Sequence, residues 1–142
     1  ASTITSVEGA IQITGASTNS ENGVEIQSGS SVNSTGTGAS AATITIVGNS
    51  DVSGVFIEDI GSAVTSVAGD IDISGTGTAE EGVTLATAAR ISSESGEITI
   101  VGNSTNGVGV YTDDTGTLIS STGTGGSAGN ISITGDSTTA AG

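Results

Sequence analysis

The sequence predicts an all-β chain wound as a parallel β-helix, a β-solenoid of about 27 residues and three short strands per coil, with about five coils. Three observations carry this. The heptapeptide Ile-Thr-Ile-Val-Gly-Asn-Ser stands at residues 44–50 and again at 98–104. A shorter frame, Gly-x-Ile-x-Ile-x-Gly, recurs at residues 9–15, 69–75, 96–102 and 129–135, and at 42–48 with Ala42 in place of the first glycine. The first Ile of each frame falls at 11, 44, 71, 98 and 131, giving steps of 33, 27, 27 and 33 residues. Like residues returning in one order at one interval are best placed above one another, which makes the pairing parallel.

The first strand of each coil is the short apolar segment beginning at Ile4, Val32, Val64, Ile91 and Ile119, usually followed by Ser or Thr. The second is the Ile-x-Ile pair, whose isoleucines form two inward ladders: Ile11, Ile44, Ile71, Ile98 and Ile131, and beside it Ile13, Ile46, Ile73, Ile100 and Ile133. Between them Gln12, Thr45, Asp72, Thr99 and Ser132 face solvent, because successive side chains of a strand alternate sides. The glycines flanking each pair are expected at corners, where positive φ or a close backbone approach excludes a Cβ. The third strand is Gly-Val-x-(Ile/Leu/Val), at residues 23–26, 54–57, 82–85 and 107–110. Ser-Thr-Gly-Thr-Gly at residues 34–38 and 121–125 adds about six residues ahead of two of the Ile pairs, as insertions on one face of a repeat array do. No stretch has the i, i+3, i+4, i+7 apolar spacing of a helix.

Residues 1–142 thus read as one solenoid segment with coils at about 4–31, 32–63, 64–90, 91–118 and 119–142. Neither end shows a polar cap, and the fifth coil stops where its third strand should begin, so the segment is expected to belong to a longer stack, covalent or assembled. A tandem of immunoglobulin-like sandwiches, with the 87 residues between the two Ser-Thr-Gly-Thr-Gly loops as its period, is the competing fold. It calls for bulky core residues and leaves the 27-residue spacing unexplained.

Composition narrows the function. The chain has 24 Gly, one Phe, one Tyr and no Trp, Met, Cys or His, which suits a narrow interior of β-branched side chains. Fifteen acidic residues face one basic residue, Arg90, for a formal net charge of −14. A nucleic-acid backbone is repelled by such a chain, as is an anionic membrane surface, and no apolar run approaches the ~20 residues a spanning helix needs. Without His or Cys no Ser-His or Cys-His pair can form, and without Lys no Schiff base, so an enzyme is not expected and no catalytic residue or cofactor is assigned.

Two kinds of residue stand out against this background. Stacking places Asp70 beneath Glu97 with Asp72 two residues along, and Asp113 and Asp114 follow a third strand, as do Glu58 and Asp59. Carboxylates so grouped offer the oxygen ligands calcium takes, or the acid pair of a retaining glycosidase, although acids on an outer strand face are ordinarily just solvated. Phe56 and Tyr111, the only aromatics, fall at outward positions and are candidates for a contact with a neighbouring fibre or a sugar ring, although single exposed aromatics are ordinarily just surface residues. A Thr-x-Thr array for binding ice is not sustained, since Gln12, Asp72 and Ser132 interrupt it and only residues 43–45 fit it fully.

The Gly-x-Ile-x-Ile-x-Gly frames, the repeated heptapeptide and Ser-Thr-Gly-Thr-Gly resemble the β-strand repeats of large bacterial surface proteins, the filamentous-haemagglutinin-like and autotransporter-type adhesins. The resemblance covers nearly the whole chain and rests on composition and period; coils in that family are often nearer 20 residues. It implies a secreted right-handed β-helix serving as stalk, adhesin or biofilm-matrix fibre, and it carries no functional residues. The expected function is therefore the structural shaft of an extracellular filament or cell-surface adhesin, with itself as partner, end to end or as a longer chain, and neighbouring fibres or glycans as further partners. The alternatives are a polysaccharide-active β-helix enzyme, a specific sugar- or host-binding adhesin and, least favoured, an ice-binding β-solenoid.

Overall fold

A computed structural model describes residues 1–124 and 128–138. The described residues form fourteen strands and no helix. They fall into three parallel sheets. Sheet A holds β1 (Thr3–Ser6), β4 (Ser31–Ser34), β7 (Ala63–Ser66), β10 (Arg90–Ser93) and β13 (Leu118–Ser121). Sheet B holds β2 (Ile11–Ser17), β5 (Ile44–Ser50), β8 (Ile71–Gly77), β11 (Ile98–Ser104) and β14 (Ile131–Ser137). Sheet C holds β3 (Val24–Ile26), β6 (Val55–Ile57), β9 (Val83–Leu85) and β12 (Val110–Thr112). The chain visits A, B and C in turn and returns to A one rung higher, so each coil contributes one strand to each sheet: a parallel β-solenoid.

Four complete coils and two strands of a fifth are described, against the five expected. Gly125, the last residue of the second insertion, and residues 139–142 at the end of coil five lie outside the described residues. The first insertion lies in the connection from sheet A to sheet B, as its position ahead of an Ile pair requires.

The register follows the repeat. Ile11 pairs with Ile44, Ile44 with Ile71, Ile71 with Ile98 and Ile98 with Ile131. The two isoleucine ladders are fully buried through the middle coils, where Ile44, Ile46, Ile71, Ile98 and Ile100 have no exposed surface. A middle coil adds one apolar residue from sheet A and two from sheet C, such as Val64 with Val83 and Leu85, to a single continuous core. Burying one such side chain contributes roughly 1.5–3 kcal/mol, so a core without aromatics is still a strong one when every rung repeats it.

The glycines differ from expectation in an instructive way. Strands of sheet B do not end at the Gly that follows the Ile pair; they run through it to Ser or Gly two residues on. Gly48, Gly75 and Gly102 face inward where sheets B and C converge. A Cβ on Gly75 would stand 1.9 Å from the carbonyl oxygen of Gly82, and Gly48 and Gly102 meet Gly54 and Gly109 at the same distance. Close backbone approach, not a left-handed corner, is what these positions demand. The left-handed corner lies elsewhere, between sheets C and A, and is held mostly by residues other than glycine: Ser28, Asp59, Thr87, Ala88 and Asp114 all have φ between +52° and +79°.

Sheet C corrects one strand assignment. The fourth repeat of its motif is not residues 107–110 but two residues later, since Val110 pairs with Val83 and Thr112 with Leu85. Gly109, rather than Gly107, takes the place of Gly82 in the glycine column. Val108 is consequently outside the core and 46% exposed. Either frame presents Gly-Val, and in the fold it is Gly109 that lies against Gly102.

Candidate functional site

Asp51, Asp59, Asp70 and Asp114 stand at corners between strands and accept backbone N–H groups of the neighbouring coil. Asp70 lies below Glu97, as the stacking predicts, and its Oδ1 accepts the Glu97 N–H at 2.8 Å. Asp72 is not drawn into this contact; it sits on the outer face of sheet B between Thr45 and Thr99. At the left-handed corner, Asp59 Oδ2 accepts the Ser28 N–H at 2.9 Å and Asp114 Oδ2 accepts the Thr87 N–H at 3.2 Å. Asp51 does the same for Ser20 N–H at 3.2 Å. Corner amides point along the solenoid axis with no strand above or below them, and a short carboxylate from the adjacent coil satisfies them.

This capping role was not read from the sequence, although Asp59 and Asp114 each stand a fixed distance past the third strand. A hydrophobic repeat reveals strands; it says nothing of where an irregular corner aims its N–H groups. Serine plays a matching part at the end of sheet B strands. Ser50 Oγ donates to the Glu21 carbonyl and accepts the Val52 N–H at 2.9 Å. Ser104 donates likewise to the Glu80 carbonyl and accepts the Gly107 N–H at 2.8 Å.

For calcium the geometry is unhelpful. Among the described residues no three His, Cys, Asp or Glu side chains come together as a metal-ligating group. Asp70, Asp72 and Glu97 share one region without converging, and Asp113 with Asp114 lies on an open corner beside Thr117. Nor does Asp72 stand in a walled cleft of the kind glycoside cleavage uses; it lies on an open sheet face.

The aromatics, by contrast, are brought together. The corrected register of β12 places Tyr111 in one outward column with Thr84, Phe56 and Glu25, one residue per coil. Phe56 and Tyr111 are therefore two rungs apart, roughly 9.6 Å at ~4.8 Å per rung, with Thr84 between them. Thr84 is only 3% exposed although it points outward, so the flanking side chains cover it. Its hydroxyl donates to Glu81 Oε2 at 3.4 Å. Tyr111 is 41% exposed, and its hydroxyl donates to Asp113 Oδ2 at 2.9 Å.

That bond sets the local titration. Donation from Tyr111 and from the Asp114 N–H holds the Asp113 carboxyl below its ordinary value, while the same bond to Asp113, with the negative charge of Asp113, Asp114 and Glu81, pushes the Tyr111 phenol up. One rung of sheet C below Thr84, partial burial and the charges of Asp59 and Glu25 raise the Glu58 carboxyl. The outer face of sheet C thus combines the two aromatic rings with a run of carboxylates and carries no basic side chain.

Among the described residues no helix is long and apolar enough to cross a membrane. No protein-family model, no curated protein and no solved structure matches this chain.

Proposed function

We propose that the chain is a non-enzymatic structural shaft, a stretch of an extracellular filament or cell-surface adhesin built by stacking β-coils. One observation carries the reading: sheet B pairs seven residues with seven through successive rungs without a slip, so the same surface is repeated along the axis. Such a ladder resists extension because its inter-strand hydrogen bonds run along the axis and those between any two rungs share the load in parallel. The missing His, Cys and Lys favour a structural over a catalytic role, and Asp51, Asp59, Asp70 and Asp114 each hold one coil to the next.

Electron microscopy and fibre diffraction of the whole protein test this. The expected result is a filament with a meridional spacing near 4.8 Å, because strands cross the axis at that interval. A compact particle without that axial repeat would overturn the reading. So would reducing-sugar release from an acidic polysaccharide that Asp72→Asn abolishes.

A further inference from the structure

We propose that the outer face of sheet C is a docking surface for a guanidinium-bearing segment of a partner protein, an arginine side chain laid over the rings of Phe56 and Tyr111. The inference is independent of the filament reading. It begins from a coincidence of register: the only two aromatic residues of the chain occupy one outward column, with a single rung between them. Nothing in the fold requires that. Both positions point away from the core, and the neighbouring rungs of the column carry Glu25 and Thr84, so the coil is built without a ring there.

The surroundings decide what such rings can hold. Glu81 and Asp113 stand at Tyr111, and Glu58 lies two residues from Phe56 on the same face. A cation meets the negative face of each ring and a carboxylate at its edge, and loses little by leaving water partially. An anionic or phosphate-bearing partner meets repulsion from a chain of net charge −14. Between cations, a guanidinium is favoured over an ammonium: it is planar, stacks on an aromatic face and still presents its N–H fork to a carboxylate. A strand cannot add to this face, because the N–H and C=O groups of the inner strands β6 and β9 already pair with the coils above and below. Recognition must run through side chains. The rings are spaced to suit it, since a polyproline II segment repeats every three residues, about 9.3 Å, against the roughly 9.6 Å of two rungs.

The test uses the intact chain and a hexa-arginine peptide, with Tyr111 emission as reporter, since there is one tyrosine and no tryptophan. Wild type should bind saturably with a change in tyrosine emission, and anisotropy of a labelled peptide gives the affinity for variants lacking the tyrosine. Phe56→Leu with Tyr111→Leu should weaken binding about tenfold, whereas Asp72→Asn, which removes one charge on sheet B, should leave it within about twofold. Tyr111→Leu alone, at an exposed position, should move affinity in the same direction if the double variant does not keep its β-sheet circular dichroism. Equal binding by wild type and the ring variants would overturn the proposal, leaving only diffuse attraction to an acidic surface. A neutral oligosaccharide that perturbs Tyr111 and displaces the peptide would overturn it in favour of sugar stacking.

Discussion

Two glycines of like sequence setting differ in what surrounds them. Gly75 faces inward with the Gly82 carbonyl carbon and oxygen at 2.7 and 1.9 Å from where a Cβ would lie, and Val83 Cγ2 at 2.8 Å. Gly38, in the first insertion, has nothing within 4 Å. Gly75→Ala should therefore lower unfolding stability by about 2 kcal/mol or more, since backbone atoms must move to admit the methyl. Gly38→Ala should stay within about 0.5 kcal/mol of wild type. Urea midpoints at constant m-value compare the two directly. The Tyr111–Asp113 bond makes a second prediction at this scale. Absorbance titration of the single phenol should give a midpoint above the ordinary value of 10.0, and Asp113→Asn should bring it back down. The signs for stability are opposite at the two ends. The Asp113 contribution, from a lowered carboxyl, is present above its unfolded value and lost as pH falls through the folded one. The Tyr111 contribution, from a raised phenol, is present below its unfolded value and lost as pH rises through the folded one.

A strand in this fold is protected by what lies above and below it. Arg90, the only trypsin site, opens β10, where Arg90 pairs with Ala63 on one side and Leu118 on the other and its N–H donates to the Ser62 carbonyl at 3.0 Å. The following residue, Ile91, is fully buried. A protease must take the chain in an extended, unpaired form, so cleavage after Arg90 requires several rungs to open. Native protein should survive trypsin that cuts the urea-unfolded chain within minutes, and the native rate should rise with urea in step with unfolding. Rapid native cleavage would contradict the pairing of β10. The same exposure to neighbours explains why corners carry so many carboxylates: Asp59 and Asp114 each serve an amide that no strand can reach.

Charge is a property of the whole stack. Coils climb by ~4.8 Å, well inside a screening length of about 10 Å at 0.1 M salt, so fifteen carboxylates against one guanidinium repel one another along the axis. Raising sodium chloride from about 0.01 to about 0.5 M should raise the thermal midpoint by a few degrees, and a fall would show that screening weakens the acid caps more than it relieves repulsion. Glu58 gives the pH counterpart. Its carboxyl is raised above 4.5, so its contribution to stability is present below its unfolded value and lost as pH rises through the folded one. Acidification from neutrality should first stabilise the protein, until carboxylates of lowered affinity such as Asp113 begin to protonate.

The amino-acid sequence by itself determined the architecture of this protein: parallel stacking, three strands to a coil, the two isoleucine ladders and the site of the insertions. All of these rest on apolar side chains that alternate along a strand and return at a constant interval, a pattern that burial imposes and that can be counted without coordinates. Only the tertiary structure decided the rest. The pairing of β12 hung on whether Gly107 or Gly109 meets Gly102, which is a question of packing between sheets and invisible to a period of two. That shift of two residues is what puts Tyr111 in the column of Phe56 and Thr84. The aim of Asp59, Asp70 and Asp114 at amides of the next coil likewise depends on corner geometry, and corners repeat in position but not in sequence. Hydrophobic burial leaves a periodic signature in the chain; the close contacts of irregular backbone leave none, and it is those contacts that arrange the surface.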